Sequence, residues 1–189
     1  MNSHDENLAL FVMLGRSAER LIQENPDTVP PDSLTISDTL DLAIGLPASV
    51  RRASRAAFVY KLFFVFENYL RELVIDVLAE KYPTDWWDRV EPNVKKDVAD
   101  LEAKEETKQW MALGSRDKLS LTTFSQILLI IEHCWKDGFD AVIRDKQLIQ
   151  EARMVAHLRN AICHMTDIPE EEVERTKQVL RDWFRAVPF

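Results

Sequence analysis

Apolar residues recur along this chain at intervals of three and four, the spacing that puts them on one face of a helix, and almost nowhere at the alternation of a half-buried strand. Over residues 6–23, Leu10, Met13, Leu14, Leu21 and Ile22 fit such a stripe. Residues 25–33, NPDTVPPDS, break it: three prolines and two aspartates predict a loop. The segment SDTLDLAIGL predicts a second, shorter helix with Ser37 as its N-cap, punctuated by Gly45 and Pro47. A long helix is then expected from Pro47, which suits a first helical turn, up to the break at Pro83. Phe58, Leu62, Val65, Phe66, Tyr69, Leu70, Leu73 and Val77 give it a broad stripe, the mark of a helix at the centre of a bundle. Within it, Glu67 and Arg71 stand one turn apart in the order that favours an ion pair.

The following stretch, residues 84–114, is more polar, and helical arms projecting from the core are expected there, anchored by Trp86, Trp87 and Trp110. A turn at residues 118–123, capped by Ser120 or Thr122, precedes the strongly apolar FSQILLIIEHCW, which Gly138 breaks. The next helix, DKQLIQEARMVAHLRNAICHM, has Leu148, Ala152, Val155, Ala156, Leu158 and Ile162 on its apolar face. Asp167 and Glu170 have capping-box spacing for the last helix, whose start is acidic and whose end carries Lys177, Arg181 and Arg185, as the helix dipole prefers. Together these elements predict an all-α antiparallel helical bundle over residues 47–189 with an N-terminal helical extension over residues 1–46.

Composition narrows the class. The 189 residues suffice for one ordinary domain with a real core, and 46% hydrophobic with 30% charged residues is the balance of a globular protein. The longest apolar runs, FVYKLFFVF and ILLIIEHCW, are interrupted by Lys61 and Glu132 and are too short to cross a bilayer. The first residues lack the basic start and apolar core of a signal peptide. Two cysteines, Cys134 and Cys163, make neither a disulfide framework nor a metal-binding pair, so a cytoplasmic location is expected. A net charge of −8 is unfavourable for general nucleic-acid binding, so any RNA function must rest on a local basic patch.

The densest chemistry lies in RNAICH, residues 159–164. Asn160 and His164 are four apart and share a helical face, and Arg159 is rotated from Asn160 by about 100°. The helix must end soon after, at Thr166, Asp167 and Pro169, which leaves His164 in its last turn. Metal-free RNA cleavage asks for these side-chain types. A base takes the ribose 2′-hydroxyl proton, an acid protonates the departing 5′-oxygen, and a cation stabilises the charge that builds on phosphorus. Histidine moves protons near neutral pH, arginine is a permanent forked phosphate ligand, and asparagine orients either partner. One Arg–His set supplies half of a concerted acid–base reaction, and two sets across a two-fold axis supply all of it.

The run LRNAICH resembles the arginine–four residues–histidine motif of HEPN domains, including the asparagine that often follows the arginine. FVYKLFFVFENYLREL is similar to that family's early helix, and the tryptophan pair at Trp86, the LSLTTFSQILLII segment and IPEEEVERTKQVL are similar to one of its branches. The resemblance covers about residues 47–187. It implies an all-α bundle acting as a metal-independent RNA endonuclease, with no cofactor and a site completed at a homodimer interface. Arg159 and His164 would then be catalytic, Asn160 supportive, and Glu67 would orient Arg159 or His164. The setting it implies is a toxin or phage-defence effector, or an RNA-processing subunit, with an antitoxin or regulatory protein as a possible partner. Where some toxins of this family carry a modifiable tyrosine two residues after the histidine, this chain has Thr166, so silencing by that route is not expected.

Plainer readings stand beside these. Arg159 capping carbonyls or paired with Glu67, with a buried, hydrogen-bonded His164, would make RNAICH a structural cluster, and the domain a catalytically inactive module binding a partner protein or nucleotide. Arg51, Arg52 and Arg55 form the best basic patch, either a track for an RNA backbone or an ordinary solvated helix start. His133 and Cys134 are adjacent and therefore face different ways, so no metal site is expected. His157 is read as surface or interface. Lys95, Lys96, Lys104 and Lys108 are read as a solvated face, and the tryptophans as core.

Overall fold

The computed structural model describes residues 3–24, 32–106 and 117–187, with side chains from residue 7 and not at 23 and 24. Eight α-helices appear among the described residues: α1 (Ser3–Glu24), α2 (Leu42–Gly45), α3 (Pro47–Lys81), α4 (Pro92–Glu106), α5 (Phe124–His133), α6 (Phe139–Val142), α7 (Gln147–Cys163) and α8 (Glu170–Ala186). The chain divides into two compact units, Met1–Ala57 and Phe58–Phe189, and α3 contributes to both. Trp110 and Lys108, and most of the loop expected over residues 25–33, lie outside the described residues.

In the first unit, every described side chain of α1 is exposed, the expected stripe of Leu10, Met13, Leu14, Leu21 and Ile22 included. The helix expected to start after Ser37 begins four residues later, at Leu42. Ser37 instead ends a short strand, β1 (Thr35–Ser37), paired antiparallel with β2 (Leu40–Asp41). The cap of α2 is Asp41, whose carboxylate accepts from the backbone N–H of Ala43 at 2.8 Å and of Leu34 at 3.0 Å. One acidic side chain thus closes the hairpin and starts the helix, which a hydroxyl at Ser37, paired in the strand, does not do.

The second unit is built around α3. Its buried line is Val59, Phe63, Phe66, Leu70, Val74 and Leu78, one step round from the expected stripe. Phe66 and Leu70 are core as expected; Leu62, Tyr69, Leu73 and Val77 flank it; Phe58 and Val65 are exposed. Apolar residues occupy almost the whole circumference of α3 here, so spacing alone does not select the inner face. The aromatic partners do: Phe63 and Phe66 meet the Phe124 ring at 5.9 and 5.6 Å, and Phe66 meets Trp183 at 5.3 Å.

The polar stretch after α3 is not a projecting arm in its described part. Val90, Val94 and Val98 are buried in the same core, and Trp86 and Trp87 pack against it. A one-turn 3₁₀ segment (Lys118–Leu121) leads into α5, and the cap is Thr123 rather than Ser120 or Thr122. Thr123 forms a reciprocal capping box with Gln126, while the Thr122 hydroxyl bonds the Leu119 carbonyl at 2.6 Å. Helix α5 ends at His133, before Gly138, whose φ of 135° belongs to the turn into α6. Pro169 occupies the cap position of α8, so Asp167 stands two residues too early to close the expected box. Helices α7 and α8, joined by a six-residue connection, pack as antiparallel neighbours, and α7 also packs on α5. Among the described residues no helix is long and apolar enough to cross a membrane.

Candidate functional site

Glu67 lies on the inner side of α3, between Phe66 and Leu70, where an apolar residue would be ordinary, and only 6% of it is exposed. A carboxylate there needs charged partners to offset its desolvation. It has two. Arg71, one turn along α3, binds Glu67 Oε1, and Arg159 of α7 donates from Nε to Oε2 at 3.1 Å, with Nη2 3.5 Å from Oε1. The carboxylate therefore ties α3 to α7, and the cluster of two guanidiniums and one carboxylate carries a net charge of +1.

The two arginines are not equivalent. Arg71 also donates from Nε to the Leu119 carbonyl (3.0 Å), from Nη1 to Asn68 Oδ1 (3.1 Å) and from Nη2 to the Thr122 carbonyl (2.9 Å). It fixes the 3₁₀ turn that leads into α5, and each of its three nitrogens donates to a neighbour. Arg159 uses only Nε and Nη2, both toward Glu67; its Nη1 donors have no partner among the described residues, and its side chain is 28% exposed. Burial pulls the Arg159 guanidinium down, but the Glu67 hydrogen bond and charge outweigh this and hold it above its ordinary value. Arg159 is thus a permanent cation with one open edge.

Arg159 lines a cleft of about 190 Å³ between α3 and α7. Tyr60, Phe64, Glu67 and Asn68 line it from α3, and Arg159, Ile162 and Cys163 from α7. Cys163 shares the cleft with Arg159 because it stands one helical turn further on.

Asn160 and His164 occupy the adjoining strip of α7, rotated from the Arg159–Cys163 line by about 100°. Both are exposed, and neither side chain makes a hydrogen bond among the described residues. The buried, bonded histidine of the plainer reading is therefore not what the fold contains. His164 is the C-cap of α7. The helix ends in a Schellman motif: the Thr166 N–H reaches the Ala161 carbonyl and the Met165 N–H the Ile162 carbonyl, both at 3.0 Å, with Met165 at φ 57°. This sharp stop leaves His164 at the tip of the helix with solvent on its ring.

Of the residues singled out in the sequence, the fold joins Arg159 to Glu67 directly and leaves His164 out of contact with Glu67. Tyr60, Phe64, Asn68 and Cys163 were not anticipated; the signal for them was helical spacing from Glu67 and Arg159. Arg51, Arg52 and Arg55 lie on the first turns of α3, in the first unit, where Arg52 is 3.4 Å from the Ser49 hydroxyl. His157 is exposed, with Nδ1 2.7 Å from the Met154 carbonyl. His133 is exposed while Cys134 is buried, so the two face apart. Burial pushes the Cys134 thiol up to about 11. Among the described residues no three His, Cys, Asp or Glu side chains are grouped to hold a metal ion.

Residues 61–188, about two-thirds of the chain, match the family model for the Swt1-like HEPN domain. No curated protein and no solved structure matches the chain.

Proposed function

The chain belongs to the Swt1-like HEPN family, and on that premise we propose that it is a metal-independent RNA endonuclease whose site is completed by a second copy of the chain. One observation carries the reading. Arg159 is held by a buried carboxylate with one edge open, while Asn160 and His164 stand unpartnered and exposed on the next strip of the same helix end. Within the trio, Arg159 is tied to the neighbouring helix, while Asn160 and His164 face solvent, where a substrate or a second copy can reach them.

In this reading Glu67 positions Arg159, and the open guanidinium edge binds the scissile phosphate and stabilises the charge that develops on it. His164 of one protomer removes the 2′-hydroxyl proton. That oxygen attacks phosphorus, the bond to the 5′-oxygen breaks, and His164 of the other protomer protonates the leaving oxygen. Asn160 positions His164 or the phosphate. The products are a 2′,3′-cyclic phosphate and a 5′-hydroxyl. The bundle over residues 47–189 carries the chemistry and residues 1–46 are an extension of it. The biological setting is a cytoplasmic toxin or phage-defence effector restrained by an antitoxin or other regulatory protein, with Arg51, Arg52 and Arg55 as its RNA-backbone contacts.

A second reading, a non-cleaving module that binds a partner protein or nucleotide, draws on the net charge of −8 and on the Arg159–Glu67 pair, which alone would serve to hold α3 against α7. The cleft argues against a whole nucleotide: at about 190 Å³ it is smaller than the roughly 300 Å³ at which sites for drug-sized ligands begin.

The deciding experiment is RNA cleavage with and without EDTA, wild type against His164→Ala, both shown to be folded dimers. The proposal expects cleavage that survives EDTA, ends in cyclic phosphates and is lost in the variant. Folded wild-type protein that leaves tRNA, mRNA and rRNA intact would move the assignment to the binding module.

A further inference from the structure

We infer that the cleft between α3 and α7 seats one unstacked base of single-stranded RNA, with the open edge of Arg159 on the phosphate next to it; this rests on the RNA-cleaving reading above. Its wall on α3 is an aromatic pair. Tyr60 and Phe64 stand one turn apart with ring centroids at 6.1 Å, and Phe64 is 56% exposed. Both residues line the same cleft as Arg159 of α7, and buried Glu67 lines it too. The two rings are inclined by 36°, so a base stacks on one of them, the exposed Phe64; an aromatic face beside an available cation is the combination that holds a single-stranded nucleotide, because every base has a π-face and every linkage a phosphate.

Size and charge restrict the occupant. The volume of about 190 Å³ suits a base and not a base with its full polyphosphate. The cluster charge of +1 favours an anion, whereas the chain total of −8 removes any general attraction to a phosphate backbone. Binding must then draw on stacking, and in a duplex the bases are already stacked on one another and closed to the protein. The substrate class that follows is a loop, bulge or unpaired strand.

The test uses the full chain and a short 2′-O-methyl RNA strand, which lacks the attacking hydroxyl, alone and annealed to its complement. Fluorescence anisotropy should show the strand bound more tightly than the duplex. Phe64→Leu should weaken strand binding at least about fivefold and narrow the preference, and Phe64→Trp should retain it. Because Phe64 is exposed, thermal unfolding of both variants should match wild type. Equal affinity for strand and duplex, no binding, or a Phe64→Leu protein that binds as wild type does would overturn the inference. So would a dimer that sedimentation velocity shows falling to monomer in Phe64→Leu, which would give the rings to a second copy. Cleavage of unmodified RNA separates the two ideas: cutting without Phe64 dependence sinks the base seat alone, and Phe64-dependent strand binding without cutting sinks the nuclease alone.

Discussion

At the scale of the residue, Arg71 and Arg159 share one carboxylate and divide two tasks. Arg71 joins α3 to the backbone before α5 through the Leu119 and Thr122 carbonyls, whereas among the described residues Arg159 bonds only Glu67 and keeps its outer donors open. Removing Arg71 strips a hydrogen-bonded charge from two buried carbonyls as well as from Glu67. Removing Arg159 leaves Glu67 with Arg71 still in place. Truncating one member of a buried charge network costs about 3–5 kcal/mol when nothing replaces it. Arg71→Ala should approach that range. Arg159→Ala, a partly exposed partner of a carboxylate that keeps another cation, should lose about 1 kcal/mol. Cleavage should follow the opposite order: Arg159→Ala should abolish it at full folding, and Arg71→Ala should reduce it only in proportion to unfolded protein. Urea denaturation and single-turnover cleavage on the same samples separate the two. Arg159→Ala protein that cuts RNA at the wild-type rate would make the arginine merely structural.

At the scale of the element, the end of α7 decides what His164 can reach. The Schellman stop needs a left-handed residue at position 165, a role normally filled by glycine, and this chain uses a methionine that is 91% exposed. M165G should therefore raise stability by about 1 kcal/mol, seen as a higher urea midpoint at unchanged slope. If the Met165 side chain touches RNA or the second copy beside His164, the same variant should lose cleavage while gaining stability; unchanged cleavage would leave that side chain without a role. The motif on α7 was legible because its polar residues interrupt a clear apolar line, Leu148, Ala152, Val155, Leu158 and Ile162, all of which are buried. The inner face of α3 was not, because eight of the nine residues in FVYKLFFVF are apolar and only contacts with Phe124 and Trp183 fix its rotation. For the same reason the cleft was hidden: pairing Tyr60 and Phe64 with Cys163 requires knowing how α3 and α7 are rotated against each other. The Glu67–Arg159 contact was one of two options that the family resemblance offered for Glu67, whereas spacing alone pointed to Arg71, one turn away on the same helix. The caps were misplaced by one to four residues, because Ser, Thr and Asp stand in clusters and only the backbone shows which of them begins the helix.

At the scale of the whole molecule, the chemistry needs two proton-transfer groups and each chain offers one His164 at the tip of α7. The nearest other histidine on that helix, His157, is held by the Met154 carbonyl. If the site is composite, one protomer's histidine is the base and the other's is the acid, and a dimer with a single intact histidine lacks one of the two. The dose response of mixed dimers tests this without any structure of the complex. Wild type and His164→Ala would be co-refolded at varied ratios with total protein fixed, so that protomers pair at random. A composite site makes activity fall as the square of the wild-type fraction, to about one quarter at equal mixing. A site complete within each chain makes it fall linearly, to about one half. The curvature also discriminates dimerisation that is merely structural from dimerisation that builds the site, because a dimer of two independent sites gives the straight line. A linear response would return the missing proton-transfer group to the single chain, and the composite arrangement would be wrong even if the protein cleaves RNA.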